Sequence, residues 1–211
     1  MTEIVLEVEG HVATLTLNRP AKLNAVTPTM AEAIVAACRR CDAVRALRTP
    51  AICAINGLAY GGGLELALSC DVRLAAETAS FAAPEIKLGW IGGGGMSYLL
   101  THSIGASNAA QMLLTGDPID AARALRIGLV SELFAPAALS AAAAALAATI
   151  ASRPPIAAQT AKTNLRAAYA MPLEAAVQYE RDLQTICFAT DDAREGREAF
   201  AERRAATFRG R

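Results

Sequence analysis

An α/β fold is what this sequence predicts, and three stretches predict it. Residues 3 to 9 and 11 to 17 alternate apolar with polar or small side chains around Glu9-Gly10-His11, the pattern of a hairpin with a tight turn. An apolar run from Ala51 to Ile55 is followed by Asn56-Gly57, then by Gly61-Gly62-Gly63 opening onto Leu64-Glu65-Leu66-Ala67-Leu68. That order reads as strand, glycine-rich turn and helix. Past Gly95 the apolar residues recur almost throughout at helical spacing.

Taken in order, Asn18-Arg19-Pro20 ends the second strand of the hairpin, and a helix starts near Thr27 or Pro28. Thr27 is its cap, Pro28 suits the first helical position, and Met30, Ile34 and Ala37 or Cys38 carry the period. After the glycine-rich turn and its helix comes a short apolar run closed by Pro84-Glu85, then the four glycines Gly92 to Gly95. Helices are expected over Ser97 to Ile104, Asn108 to Leu114, and Asp120 to Arg126, the last capped by Asp120 and ended by Gly128. The run Leu139 to Ile150 is nearly all alanine and leucine; alanine has the highest helix propensity, so a buried helix is the reading. Pro154-Pro155 breaks the chain before a helix from about Ile156 to Ala170, with Lys162 and Arg166 on one face. A long helix from Leu173 to about Phe188, a turn at Thr190-Asp191-Asp192 and a closing helix carrying Phe200, Arg203 and Arg204 complete the chain.

The chemistry is expected between Thr49 and Gly95. Glycines at a strand-to-helix junction let the backbone turn tightly and let a ligand approach bare N–H groups. Glu65 lies in the first turn of that helix, and Glu85 follows Pro84. Two carboxylates delivered to one donor-rich, apolar pocket can act as an acid/base pair. By spacing alone a nucleotide-binding turn, or tight packing with solvated glutamates, reads equally well.

The residues themselves go further. Ala54-Ile55-Asn56-Gly57, Gly61-Gly62-Gly63-Leu64-Glu65-Leu66-Ala67, Cys70-Asp71, and Phe81-Ala82-Ala83-Pro84-Glu85-Ile86 with Leu88-Gly89 resemble the enoyl-CoA hydratase/isomerase (crotonase) family. So do Leu17-Asn18-Arg19-Pro20 with Leu23-Asn24-Ala25, Leu114-Thr115-Gly116-Asp117 with Gly128-Leu129-Val130, and Phe188-Ala189-Thr190-Asp191-Asp192 with Glu195-Gly196. These motifs cover nearly the whole chain in the family's order. The resemblance implies a ββα spiral core, residues 1–135, carrying an acyl-CoA site, and a helical region, 136–211, that assembles subunits into a trimer or dimer of trimers. It implies Glu65 and Glu85 as the acid/base pair and the Gly62 amide as an oxyanion donor. Substrate contacts are implied at Lys22, Ala25, Tyr60, Gly61, Pro84, Leu88 and Gly93, with Phe200 and Arg203 near the CoA adenine and phosphates. Coenzyme A is then part of the substrate, and no separate cofactor is expected. Enoyl-CoA hydration is the activity implied first; the alternatives are an isomerase or hydrolase of the same fold, or a non-catalytic acyl-CoA-binding protein.

Two departures from the family pattern bear on this. Family members place two further strands, and the loop that supplies a second oxyanion donor, between the first helix and the Thr49-Pro50-Ala51-Ile52 strand; here Cys41 to Arg48 leaves no room for them. Losing core strands would leave backbone polar groups unpaired, so the expectation is that the 211 residues omit a segment. Gly92 also stands where hydratases usually have a proline, with a Gly-Gly-Thr-Gln-Arg-like continuation there in place of the glycine run here, so Trp90 and the extra glycine reshape the expected acyl pocket.

Composition excludes other classes. With 20 basic and 20 acidic residues the net charge is zero, and there is neither a basic stripe nor a basic amphipathic helix, so nucleic acid and anionic membranes are not expected partners. The 54% hydrophobic content over 211 residues supports one well-buried core. The start, Met1-Thr2-Glu3-Ile4, lacks the charged and apolar regions of a signal peptide, and no apolar run is long enough to span a bilayer, so a cytoplasmic protein is expected. Cys38, Cys41, Cys53, Cys70 and Cys187 are read as reduced, mostly buried thiols; Cys38 and Cys41 lack a second ligand pair, and no metal is expected. His102 is read as a helix-end polar contact.

Overall fold

The computed structural model describes residues 3–19, 22, 24, 26–40 and 48–211, with residues 35–40 described by backbone alone. The expected gap between Cys41 and Arg48, and Ala25, lie outside the described residues. Contacts divide the chain into two units. The first runs from the N-terminus through α1 and resumes over Ala51–Leu146; the second joins Arg48–Pro50 to Ala147–Arg211.

In the first unit, β1 (Ile4–Glu9) and β2 (Val12–Leu17) form the expected hairpin, with Ile4 opposite Leu17 and the turn made by Gly10 at φ 56°. Helix α1 (Pro28–Arg40) begins as predicted: the Met30 N–H donates to the Thr27 hydroxyl at 3.1 Å. The chain then winds in turns of two strands and a helix. β3 (Ile52–Ile55) and β4 (Leu58–Tyr60) lead into α2 (Gly62–Leu68). β5 (Val72–Ala76) and β6 (Ser80–Ala82) lead through a 3₁₀ turn, Pro84–Leu88, into α3 (Met96–Thr115). β7 (Ile119–Asp120), α4 (Ala121–Arg126) and β8 (Glu132–Phe134) follow.

Successive strands divide between two sheets, β3, β5 and β8 in one of order β3-β5-β8 that is wholly parallel, and β4, β6 and β7 in another of order β4-β6-β7. This alternation makes the core a spiral. Phe81, Leu64, Met96, Leu100, Met112 and Leu129 fill its interior with almost no exposure. Removing a side chain such as Phe81 would cost about 3–5 kcal/mol through lost burial and the cavity left behind. Arg73 ties the layers together, donating from Nε to the Leu129 carbonyl at 2.7 Å and from Nη1 to that of Cys70 at 3.1 Å.

Several local expectations change on the fold. The three-residue strand β4 lies between Asn56-Gly57 and the triple glycine, so the strand entering the glycine turn is β4 and not the run from Ala51. The two helices expected after Gly95 both form, numbered together as α3 and separated by a kink at Gly105, whose φ of 77° and ψ of 160° are not helical. His102 lies in the last turn before the Gly105 kink, as expected of a helix-end polar contact, its Nδ1 2.8 Å from the Tyr98 carbonyl and its ring 4.0 Å from that of Tyr98. Asp120 caps α4 as expected, its carboxylate accepting the Arg123 N–H at 2.7 Å. Helix α5 (Leu139–Ala151) forms, but it is not a buried helix: Leu139 alone is buried, packing with Leu74 and Ala76 of β5. Cys53, Cys70 and Cys187 form no disulfide, and each is only partly buried.

The second unit is helical. α6 (Pro155–Ala167) turns Lys162 inward, 3% exposed, where its Nζ donates to the Thr49 carbonyl at 2.8 Å; Arg166, one turn on, stays exposed. α7 (Leu173–Phe188) follows as expected. Thr190 is not part of a turn with Asp191 and Asp192: it caps α8 (Asp191–Glu202), and the two aspartates occupy the first helical turn. Among the described residues no single helix is long and apolar enough to cross a membrane.

Candidate active site

Two strand ends bring the glutamates together. β4 and β6 run parallel with Tyr60 opposite Ala82, so their C-terminal ends leave the sheet side by side. The Gly61 N–H donates to the Ala82 carbonyl at 3.1 Å and fastens the two exits. From β4 the chain enters α2, with Glu65 in its first turn; from β6 it enters the 3₁₀ turn, with Glu85 in its first turn.

Glu85 lies against the glycine turn itself. A Cβ built on Gly61 would come within 2.8 Å of Glu85 Oε1, and Gly61 has φ 53°, so both shape and backbone require glycine there. Glu85 Oε2 is buried and has no hydrogen-bond partner among the described residues. Leaving a buried carboxylate oxygen unsatisfied costs free energy, and such an atom needs an explanation. Glu65 is satisfied on one side, its Oε1 accepting the Gly94 N–H at 2.7 Å. The Gly62 N–H, at the first position of α2, has no acceptor within its own helix, and Gly62 is exposed. With seven residues α2 is short, so what it offers a ligand is bare N–H groups more than a large dipole. Two carboxylates and a free main-chain donor thus gather around one turn of backbone.

The other predicted positions are more dispersed. Tyr60 pairs its hydroxyl with Ser80 Oγ at 3.0 Å, and its backbone lies in β4 opposite Ala82 of β6. Pro84 opens the 3₁₀ turn and is partly buried, Leu88 is 63% exposed, and Gly93 is exposed with open space around its α-carbon. Lys22 is exposed. Phe200 and Arg203 belong to the second unit, Phe200 87% exposed and Arg203 ending α8 in the left-handed conformation at φ 55°. A cavity of about 290 Å³ in that unit is lined by Asp191, Asp192, Arg194, Glu195, Glu198 and the tail residues Thr207, Arg209 and Arg211; none of the predicted site residues lines it. Its charges are largely used up internally: Asp192 accepts the Arg209 and Gly210 N–H groups, both at 2.7 Å, and Glu195 pairs with Arg204 at 2.6 Å. No cluster of three metal-ligating side chains occurs among the described residues. Sequence reading missed the seat that Gly92 and Gly94 make for Glu65; its one visible sign is a run of glycines longer than a turn needs.

The sequence model of the enoyl-CoA hydratase/isomerase family matches residues 40–211. A probable enoyl-CoA hydratase of Mycobacterium bovis is 47% identical over 163 residues, 77% of this chain, and the chain spans 63% of that relative's length. A probable enoyl-CoA hydratase of Rhizobium meliloti is 35% identical over 252 aligned positions, covering 99% of this chain and 98% of the relative. Because this chain has 211 residues, that alignment opens gaps on its side. An enoyl-CoA hydratase subunit of Geobacillus kaustophilus has a solved structure that superposes with a TM-score of 0.95 at 32% identity, over 100% of this chain and 99% of that one. The chain belongs to the enoyl-CoA hydratase/isomerase family.

Proposed function

We propose that this protein adds water across the 2,3 double bond of an enoyl-CoA thioester. The observation that supports it most is the buried, unpartnered Oε2 of Glu85, placed at the head of the helix that carries Glu65. A water held there satisfies that oxygen and is the reactant. In a conjugated thioester the β-carbon accepts a nucleophile only as negative charge develops on the thioester oxygen, which calls for a fixed donor at that oxygen. The Gly62 N–H is suited to this. One glutamate takes the proton of water as hydroxide adds to the β-carbon, and the other delivers a proton to the α-carbon.

The exposed apolar residues Leu88, Trp90 and Ile91 follow Glu85 directly and suit an acyl chain; the Trp90 N–H donates to the Glu85 carbonyl at 3.2 Å and so holds this segment to the site. Lys22, Ala25, Phe200 and Arg203 are proposed for the CoA portion, an arginine for phosphate and a ring for adenine. Leu173, Ile186 and Phe188 on α7 are largely exposed in the single chain and are proposed as contacts in a homotrimer or dimer of trimers. A cytoplasmic setting accords with Cys53, Cys70 and Cys187 standing outside any disulfide.

The test is turnover of crotonyl-CoA by the wild type and by Glu65→Gln and Glu85→Gln. Hydration by the wild type, reduced at least about a hundredfold in both variants, is expected. Wild-type hydration in either variant would remove the assigned roles. Conversion of a different CoA thioester, with no hydration, would replace hydratase by isomerase or hydrolase; tight thioester binding without turnover would mark a binding protein.

A further inference from the structure

Two thiols that hydration does not use lie toward the far end of the helix that carries Glu65. The chain leaving α2 is stitched to the start of β3: the Asp71 and Val72 N–H groups donate to the Ala51 carbonyl at 2.9 and 3.2 Å, and the Ala51 N–H donates back to the Asp71 carboxylate at 2.7 Å. Cys53, the second residue of β3, stands opposite Arg73 of β5 and packs against the core cluster that includes Ala67 and Leu68 of α2. Cys70 follows α2 by two residues, with its N–H on the Ala67 carbonyl at 3.1 Å and its thiol 3.6 Å from the Leu66 carbonyl. The fold thus brings the two thiols together as a hydrogen-bonded pair. That bond, and then burial, push the Cys53 thiol up and keep its proton on, so Cys70 is the sulfur that meets an oxidant first. Both residues retain some exposed surface.

We propose that Cys53 and Cys70 form a reversible oxidation site, which closes to a disulfide under hydrogen peroxide and slows turnover while closed. The Cys70 thiolate attacks one oxygen of the peroxide and the O–O bond breaks; the sulfur becomes a sulfenic acid, and the departing hydroxide takes up the proton that the thiol lost. The Cys53 sulfur then attacks the sulfenic sulfur, the S–O bond breaks, and hydroxide leaves with the Cys53 proton as a second water. Two thiols are oxidised to one disulfide, and one peroxide is reduced to two waters. An S–S bond is about 2 Å long, shorter than any hydrogen-bonded contact between sulfurs, so closure draws the end of α2 onto β3. With only seven residues, α2 transmits a shift at Cys70 to Glu65 and Gly62 at its head. The effect on turnover rests on the hydratase reading above; the disulfide itself does not.

No lysine or arginine lies between Arg48 and Arg73, so trypsin releases both thiols in one peptide, Thr49 to Arg73. The protein is treated with hydrogen peroxide, unfolded, alkylated with iodoacetamide and digested without reduction. Crotonyl-CoA turnover is measured before oxidation, after it, and after dithiothreitol. The expected result is an unalkylated peptide two hydrogens lighter than the dithiol, with turnover down at least about tenfold and both changes reversed by dithiothreitol. Cys53→Ala should yield no such peptide and keep its turnover through the same treatment. Absence of the lighter peptide, disulfides to Cys38, Cys41 or Cys187 in its place, unchanged turnover in the oxidised wild type, or an equal loss in Cys53→Ala would overturn the proposal. A wild type that turns over no enoyl-CoA thioester would sink the hydratase reading, and the peptide would then decide the disulfide by itself.

Discussion

Acidic side chains serve opposite ends in the two units. On α8, Asp192 is 2% exposed, yet both of its oxygens accept main-chain N–H groups from the tail, and Glu195 takes Arg204 and the Thr207 N–H. At the head of α2, Glu85 has a buried oxygen with no partner among the described residues, and Glu65 rests against glycines. Asp192 is the more deeply buried, but it is fully satisfied and therefore holds structure. Glu85 carries an unmet demand for a hydrogen bond, and that marks it for a ligand. Satisfaction, more than burial, separates the structural acid from the one proposed to be catalytic.

Substitutions can break this contrast. The largest effect is expected for Glu85→Gln: turnover should fall at least about a hundredfold while Tm hardly moves, since the side chain keeps its shape and loses no protein partner. A large drop in Tm would make Glu85 a structural acid after all. Asp192→Ala should do the reverse, lowering unfolding free energy in urea by about 3 kcal/mol as two buried N–H groups lose a charged acceptor. An unchanged midpoint would show that the tail is not held by this residue. A smaller effect is expected at Glu195. Its hydrogen bonds from Arg204 and from the Thr207 N–H hold its pKa down to about 2, against an ordinary 4.5. Because the folded-state value is the lower one, its stabilisation is in place above about pH 4.5 and is lost as pH falls toward 2. Acid unfolding curves should therefore steepen in that window for the wild type and lose that part of their slope in Glu195→Gln. The mildest prediction concerns Cys53, whose thiol is pushed up by its hydrogen bond with Cys70 and then by burial. It should react with iodoacetamide at neutral pH more slowly than Cys187, read by mass spectrometry of native protein.

Much of the spiral could be read from residues close in sequence. The hairpin follows from alternation within fourteen residues, and the starts of α1 and α4 follow from Thr27 and Asp120, whose capping bonds reach only three residues ahead. What failed was what local pattern does not carry. β4 is three residues long, too short for alternation to register. The alanine-rich stretch gave a helix correctly, but composition says nothing of what covers it, and only Leu139 is buried. Thr190 reads as part of a turn because a cap and a turn favour the same polar residues. At the site, Glu65, Glu85 and Gly62 were recognisable as motif, whereas the reason they converge is the parallel pairing of β4 with β6, a contact across some twenty residues. The fit of Glu65 against Gly92 and Gly94 is further still from the sequence, since it depends on how α2 meets the start of α3.

The allotment of successive strands to two different sheets has a consequence for how such a chain can vary. Among the described residues β3 and β4 stand at the outer ends of their sheets, and they are consecutive in the chain. One more pair of strands ahead of them would lay a single strand on each border, thickening the coil by a full winding while every pairing already present stayed in register. The architecture leaves room for length in complete windings, and the acidic pair, carried after β4 and β6, would keep its place through the change.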